Sequence, residues 1–106
     1  MSDFQTVCSV SDLVINSGVS ALVNDKQIAI FYIDDQVHAI DNYDPIGKAY
    51  VMSRGMTGSK GDDLVVASPL YKENYNLLTG ACLDNDSASV TVYPAKIEGS
   101  SVLVKV

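Results

Sequence analysis

The residues of this chain with the widest chemical range are Cys8, Cys82 and His38, which are its only cysteines and its only histidine. Neither cysteine belongs to a C-x-x-C pair, the spacing typical of zinc or redox sites, so we expect free thiols that fill space. His38 lies between Val37 and Ala39 in an alternating apolar segment, which favours a structural or surface role. Nucleophilic catalysis needs a base, and no other imidazole is present. We therefore identify no enzyme site in this chain.

Two other patterns resemble functional motifs only superficially. Residues 55–61 read GMTGSKG, which fails the spacing of a phosphate-binding P-loop because Lys60 stands where the second glycine belongs. A flexible loop is the favoured interpretation of this segment. The acid pairs at residues 34–35 and 62–63 are adjacent, so their side chains diverge, and polar turns explain them without general acid and base chemistry.

Length and charge exclude several classes of protein. A chain of 106 residues, 47% of them hydrophobic, predicts one domain over residues 1–106 that folds without a disulfide or metal. The net charge of -6 argues against a nucleic-acid partner, because phosphate binding needs clustered Lys and Arg. Residues 1–4 lack the features of a signal peptide, and the longest apolar run, residues 28–33, is far shorter than the ~20 residues of a membrane span. We expect a cytoplasmic protein without a membrane partner.

Hydrophobic residues alternate with period two along most of the chain, which predicts an all-β fold. We expect a sandwich or small barrel of short antiparallel strands, with a short helical turn capped by Ser11. Residues 49–61 are interpreted as an extended arm and a glycine-rich loop, and Pro94 indicates an edge or a bulge. The predicted strands cover residues 4–8, 19–23, 27–33, 36–40, 64–67, 75–77, 90–97 and 102–106.

Two segments resemble the cluster-binding loops of Rieske-type domains, which read N-x-C-P-H-x-G and C-P-x-H-G-x-x-F-x-L-x-T-G. Residues 41–47 read DNYDPIG, and residues 68–80 read SPLYKENYNLLTG. The resemblance implies a Rieske-like fold in which these two loops form the end of a small subdomain. It also locates the four positions that the iron ligands would occupy, which in this chain are Asp44, Ile46, Ser68 and Tyr71.

The side chains at these four positions are not those that bind a Rieske cluster. Such a cluster is held by two thiolates on one iron and two imidazoles on the other. Isoleucine has no lone pair, while aspartate, serine and tyrosine are hard oxygen donors that suit an iron-sulfide core poorly. We therefore expect vacant ligand positions and no cofactor or metal in this chain.

Four segments extend the resemblance to the small subunits of assimilatory NAD(P)H-dependent nitrite reductases. They are residues 41–45, 51–55, 66–72 and 78–84. In that family nitrite is reduced to ammonia on a large subunit that carries FAD, an iron-sulfur cluster and sirohaem. The resemblance implies that this chain is a non-catalytic accessory subunit whose partner is that large subunit.

Binding to such a partner would involve the two loops, which we call the tip and define as residues 42–46 and 68–72. Tyrosines can anchor an interface, and nearby cations can contribute charged contacts. Two other interpretations remain open, an electron-carrying Rieske-type ferredoxin with unusual ligands and a stand-alone interaction module. The candidate partner-binding residues are Asn42, Tyr43, Asp44, Pro45, Arg54, Pro69, Leu70, Tyr71 and Lys72.

Overall fold

A computed structural model describes residues 4–85 and 87–106 of the chain. The opening residues on which the expectation about a signal peptide depends lie mostly outside these ranges. Within them the chain forms antiparallel strands and two short 3-10 helices, Val10–Asp12 and Met52–Arg54, so the all-β prediction is confirmed. None of the described helices has the length and apolar character that a membrane crossing requires.

Twelve strands are present in the described part of the chain. In chain order they are β1 (Gln5–Ser9), β2 (Gly18–Val23), β3 (Lys26–Ile33), β4 (Gln36–Asp41), β5 (Tyr43–Asp44), β6 (Ala49–Tyr50), β7 (Met56–Lys60), β8 (Asp63–Ala67), β9 (Asn74–Asn76), β10 (Val92–Tyr93), β11 (Ala95–Glu98) and β12 (Ser101–Val104). They form sheets of order β10-β4-β3-β2, β1-β12-β11 and β7-β8-β9, and a small pair β5-β6.

The β2-β3-β4 meander is fixed by two tight turns with the same backbone conformation. Asn24 and Asp25 have φ values of 50° and 66°, and Asp34 and Asp35 have φ values of 52° and 63°. Positive φ at both central residues is the geometry of the two-residue hairpin turn that matches strand twist, and Asn and Asp tolerate it well. The acid pair at residues 34–35 is thus a turn, as the sequence predicts.

The strand β3 is buried on both faces because it lies between two other layers. Ile28 and Ile30 pack with Val102 and Val104 of β12, whereas Phe31 on the opposite face packs in a cluster with residues of β8 and β9. A strand covered on both sides is apolar throughout instead of alternating. The unbroken apolar run at residues 28–33 is therefore explained by the position of β3 between two layers.

The structure corrects the expectation for residues 55–61, most of which form the strand β7 and no flexible loop. β7 pairs with β8 over five residue pairs, from Met56 opposite Ala67 to Lys60 opposite Asp63. A Cβ on Gly55 would lie 2.4 Å from the Ala67 carbonyl oxygen, so glycine allows the strands to approach. The strand is mostly exposed and held by its backbone ladder, so it lacks the alternation that would reveal it.

Two smaller expectations also change. The first helical turn is capped by Ser9, whose side chain accepts a hydrogen bond from the Ser11 amide, and not by Ser11. The predicted strand over residues 90–97 is divided at Pro94, because β10 pairs with β4 whereas β11 pairs with β12. A proline has no amide to donate to a ladder, so the chain leaves one sheet and enters the next there.

Candidate functional site

The two loops of the tip are each held by a short hairpin. The first loop connects β5 to β6, which pair through Tyr43 opposite Tyr50 and Asp44 opposite Ala49. The second loop connects β8 to β9, and the Ser68 amide closes it by donating to the Glu73 carbonyl oxygen at 3.0 Å. These two hairpins place Asp44 and Ser68, the positions aligned with the cluster cysteines, in direct contact.

Asp44 and Ser68 form the polar centre of the tip. Both are almost fully buried, with 1% and 2% of their surfaces exposed. The Ser68 hydroxyl donates to Asp44 Oδ2, while Asp44 Oδ1 accepts from the Ile46 amide at 2.9 Å and the Gly47 amide at 3.0 Å. Ser68 Oγ in turn accepts from the Leu70 amide at 3.3 Å. The carboxylate is therefore bound by groups of both loops.

These contacts keep the Asp44 carboxyl group ionised. Burial alone would raise its pKa, but hydrogen bonds from Ser68, Gly47 and Ile46 outweigh burial, and the pKa of Asp44 lies below its usual range. The Tyr75 hydroxyl is buried near this carboxylate and helps to lower the pKa of Asp44, although it lies outside hydrogen-bonding geometry with every described residue. Burial and the Asp44 charge raise the pKa of Tyr75, so the phenol stays neutral.

The side chains at the four ligand positions do not fit a Rieske cluster. Asp44 and Ser68 are bound to each other, and Ile46 packs against the hydrophobic core. Tyr71 is 64% exposed and lies outside the buried centre. The described residues also contain no group of three or more His, Cys, Asp or Glu side chains arranged for a metal ion. The side chains present at these positions therefore do not suit an iron-sulfur cluster.

The cysteines and the histidine lie in three different surroundings. Cys8 is half buried beside one core cluster, Cys82 is buried within the other, and both are free thiols, as predicted. His38 lies opposite Phe31 in the β3-β4 ladder, and burial lowers its pKa. A strand position and a neutral imidazole agree with the structural role expected for His38.

Two of the candidate partner-binding residues, Asn42 and Asp44, prove to be internal. Asn42 Oδ1 accepts from the Ser53 amide at 2.7 Å, and the backbone carbonyl oxygen of Asn42 accepts from the Met52 amide at 3.0 Å. Both side chains are buried, so neither can form the contact surface expected from the sequence. A short polar residue in a loop can face water or accept a hydrogen bond from a backbone amide, and residue type does not distinguish these cases.

The other candidates lie at or near the surface. Tyr43 and Pro45 are half buried, and the Tyr43 ring packs edge-on against Tyr50 with centroids 5.0 Å apart. Leu70 is 45% exposed and Tyr71 is 64% exposed, so both present much of their side chains at the surface. Arg54, Pro69 and Lys72 are exposed as well.

One exposed residue of this surface, Met56, was missed by the sequence analysis. It is 76% exposed and lines a shallow groove together with Arg54, Ala67, Ser68, Pro69 and Lys72. Its neighbour in sequence, Gly55, was assigned to a loop, so the orientation of Met56 could not be inferred.

The exposed charges of this region are positive although the chain is acidic. Within residues 42–56 and 68–73 the exposed charged side chains are Lys48, Arg54 and Lys72. The two acidic side chains of these segments are less accessible, since Asp44 is buried and Glu73 half buried. The chain as a whole has a net charge of -6, so a cationic and partly apolar surface is an uneven distribution of its charge. Such a surface suits an acidic partner and repels a basic one.

Comparison with known proteins identifies the family. The model of the Rieske-like [2Fe-2S] domain matches residues 3–105. The nitrite reductase (NADH) small subunit of Escherichia coli K12 is 38% identical over 107 residues, which cover 99% of each chain. A segment of the Klebsiella oxytoca nitrite reductase [NAD(P)H] large subunit is 37% identical over 101 residues, covering 95% of this chain and 11% of that one.

A solved structure agrees with these sequence relatives. The crystal structure of an NADH-dependent nitrite reductase small subunit from Mycobacterium tuberculosis superposes with a TM-score of 0.94 at 38% identity, covering 100% of this chain and 96% of that one. The chain thus belongs to the Rieske-like domain family and, within it, to the small subunits of NADH-dependent nitrite reductase.

Proposed function

We propose that this chain is a non-catalytic accessory subunit of a cytoplasmic nitrite reductase, and that it acts by binding the large subunit through its tip. The observation that carries the proposal is the composition of the tip. Its buried centre holds Asp44 and Ser68 in mutual contact instead of cluster ligands, while its outer surface presents exposed apolar and cationic side chains. A domain can keep a docking surface after its chemistry has changed.

The K. oxytoca relative supports a large-subunit partner. There a segment similar to this chain forms part of a protein named as the large subunit, so the two components share one polypeptide. Joining two proteins in one chain raises the effective concentration of each for the other and favours pairs that already associate. In the proposed complex, FAD, an iron-sulfur cluster and sirohaem belong to the large subunit.

The docking surface that we propose contains Met56, Leu70 and Tyr71 as apolar contacts, with Arg54 and Lys72 beside them. Large exposed apolar side chains near cations are typical of interface anchors, since their burial releases water and the charges select the partner. The complementary surface on the large subunit should be apolar at its centre and acidic at its rim.

The effect of this chain on the reaction follows from its lack of a catalytic group. The Ser68 hydroxyl does donate to the Asp44 carboxylate, but both groups are buried away from any substrate and the pKa of Asp44 is lowered, so the pair does not suit a nucleophile with a base. The chain would then change turnover only through its differential affinity for states of its partner. It would stabilise the assembled or active form of the large subunit. Reduction of nitrite to ammonia would take place entirely on the partner.

The test is reconstitution of the purified large subunit with and without this chain. Co-elution on size exclusion and a higher rate of nitrite-dependent NADH oxidation are expected when the chain is added. Iron and acid-labile sulfide should be measured on the small chain after anaerobic reconstitution, and neither should be present in stoichiometric amount. Absence of association would contradict the proposal, and a Rieske-type absorption band would favour the ferredoxin interpretation.

A further inference from the structure

The two loops of the tip are connected by one chain of hydrogen bonds, whose central bond between Ser68 and Asp44 is buried. It runs from the Gly47 amide to the Asp44 carboxylate, and from there through the Ser68 hydroxyl to the Leu70 amide. Asp44 belongs to the first loop, whereas Ser68 and Leu70 belong to the second. Because the carboxylate is charged and buried, each bond to it is stronger than a bond between neutral groups at the surface.

Packing brings the loops together at the same place. A Cβ on Gly47 would lie 2.3 Å from Leu70 Cδ1 and 2.9 Å from Asp44 Oδ2. The absence of a side chain at Gly47 therefore lets Leu70 cover the carboxylate and exclude water from it. Within the second loop, the Lys72 amide donates to the Ser68 carbonyl oxygen at 2.9 Å, so the position of Ser68 also fixes the turn that carries Tyr71.

We propose that Asp44 and Ser68 form a clasp that takes over the loop-joining role which metal ligands at these positions would have, and that the clasp sets the shape of the turn at residues 69–72. Asp44 and Ser68 are positioning residues in this account, because neither is exposed to a partner. Their effect on docking rests on the proposed function, but their effect on the loops does not.

The test uses hydrogen exchange by NMR, with each substitution monitored in the opposite loop. Ser68→Ala should speed exchange of the Ile46 and Gly47 amides, which bind only the Asp44 side chain. Asp44→Asn should speed exchange of the Leu70 and Lys72 amides. Each increase should be at least roughly tenfold, the factor that one hydrogen bond to a charged group provides.

Controls separate this effect from general loss of stability. Exchange in β3 and β4 reports global unfolding, and the loop amides should respond more than these core amides. Asp12→Asn removes a carboxylate that accepts the Ser9 amide at 3.0 Å in another sheet, and it should leave the tip unchanged. If Asp44→Asn does not fold, Ser68→Ala alone decides. Changes confined to the substituted loop would overturn the clasp.

Binding then tests the consequence for docking. If the wild-type chain binds the large subunit, Ser68→Ala should weaken binding at least roughly fivefold, because an unfixed turn must be ordered on association. Loosened loops with unchanged affinity would overturn the docking role and leave the clasp standing. Failure of the wild-type chain to bind would overturn the proposed function, while the exchange data would still decide the clasp.

Discussion

Replacement of Asp44 is the perturbation whose energetic effect follows most directly from the structure. In Asp44→Ala the Ile46 amide, the Gly47 amide and the Ser68 hydroxyl all lose their acceptor at a site that is 1% exposed. A buried donor left without an acceptor costs about 1–3 kcal/mol. Water entering from the nearby surface would satisfy part of this loss, so we expect a decrease of about 3–5 kcal/mol in unfolding free energy.

Asp44→Asn removes the charge of the carboxylate but keeps the size and shape of the side chain. The amide oxygen can still accept from the Ile46 and Gly47 amides, but the NH2 group faces the Ser68 hydroxyl, which must turn and accept instead. The Leu70 amide then competes for the same oxygen. Loss of one charge-assisted hydrogen bond should cost about 1–3 kcal/mol, less than the alanine substitution.

Urea denaturation followed by circular dichroism measures both changes, provided that the slope against denaturant stays constant. Asp12→Ala is the matched control, since Asp12 also accepts a backbone amide but is exposed. Because the total stability of a small domain is about 5–15 kcal/mol, the loss expected for Asp44→Ala is a substantial fraction of it. An unfolding free energy within about 1 kcal/mol of wild type for Asp44→Ala would refute the energetic argument.

Three further outcomes are expected. The pKa of Asp44 is lower in the folded chain than in the unfolded one, so the contribution of Asp44 to stability is present above the unfolded pKa of about 3.9 and is lost as the pH falls through the folded pKa. The difference in unfolding free energy between wild type and Asp44→Asn should therefore narrow on acidification below pH ~4. A difference that stays constant would contradict this. Tyr75→Phe should change stability by less than about 1 kcal/mol, because the hydroxyl has no partner among the described residues, and a calorimetric loss above about 2 kcal/mol would show a bond to Asp44. Gly80 has φ 81°, and an added Cβ there would lie 2.0 Å from the Val90 carbonyl oxygen, so Gly80→Ala should lower the unfolding free energy by about 2–4 kcal/mol. Gly61 has φ 63° but faces open space, so Gly61→Ala should lower it by only about 1–2 kcal/mol. Equal shifts in melting temperature for the two variants would contradict the clash at Gly80.

Much of the fold could be predicted because its signals are local. The turns at residues 24–25 and 34–35 are Asn and Asp pairs that accept positive φ, and they set the β2-β3-β4 register without help from the rest of the chain. The strand β7 could not be predicted, since its stability depends on pairing with β8 and its residues are too exposed to alternate. Propensity gives no information about such a partner.

The resemblance to Rieske loops located the candidate site, but it gave no information about the interior of that site. Ligand positions of one cluster must be close in space, and Asp44 and Ser68 are in contact in the structure. Burial of Asn42 and Asp44 depends on which backbone amides of the folded loops need a side-chain acceptor as their partner. Those partners are set by the tertiary structure, so residue type alone did not reveal them.

Titration calorimetry of the large subunit with variants of the tip surface tests the central claim most directly. Leu78→Ala and Lys105→Glu are matched controls, since both residues are exposed outside the tip. If the tip is the docking surface, Tyr71→Ala and Lys72→Glu should each weaken binding by about 1–3 kcal/mol while the controls leave it unchanged, and the Lys72 effect should shrink in high salt. Equal affinity of wild-type, tip-variant and control chains, all folded, would contradict the account.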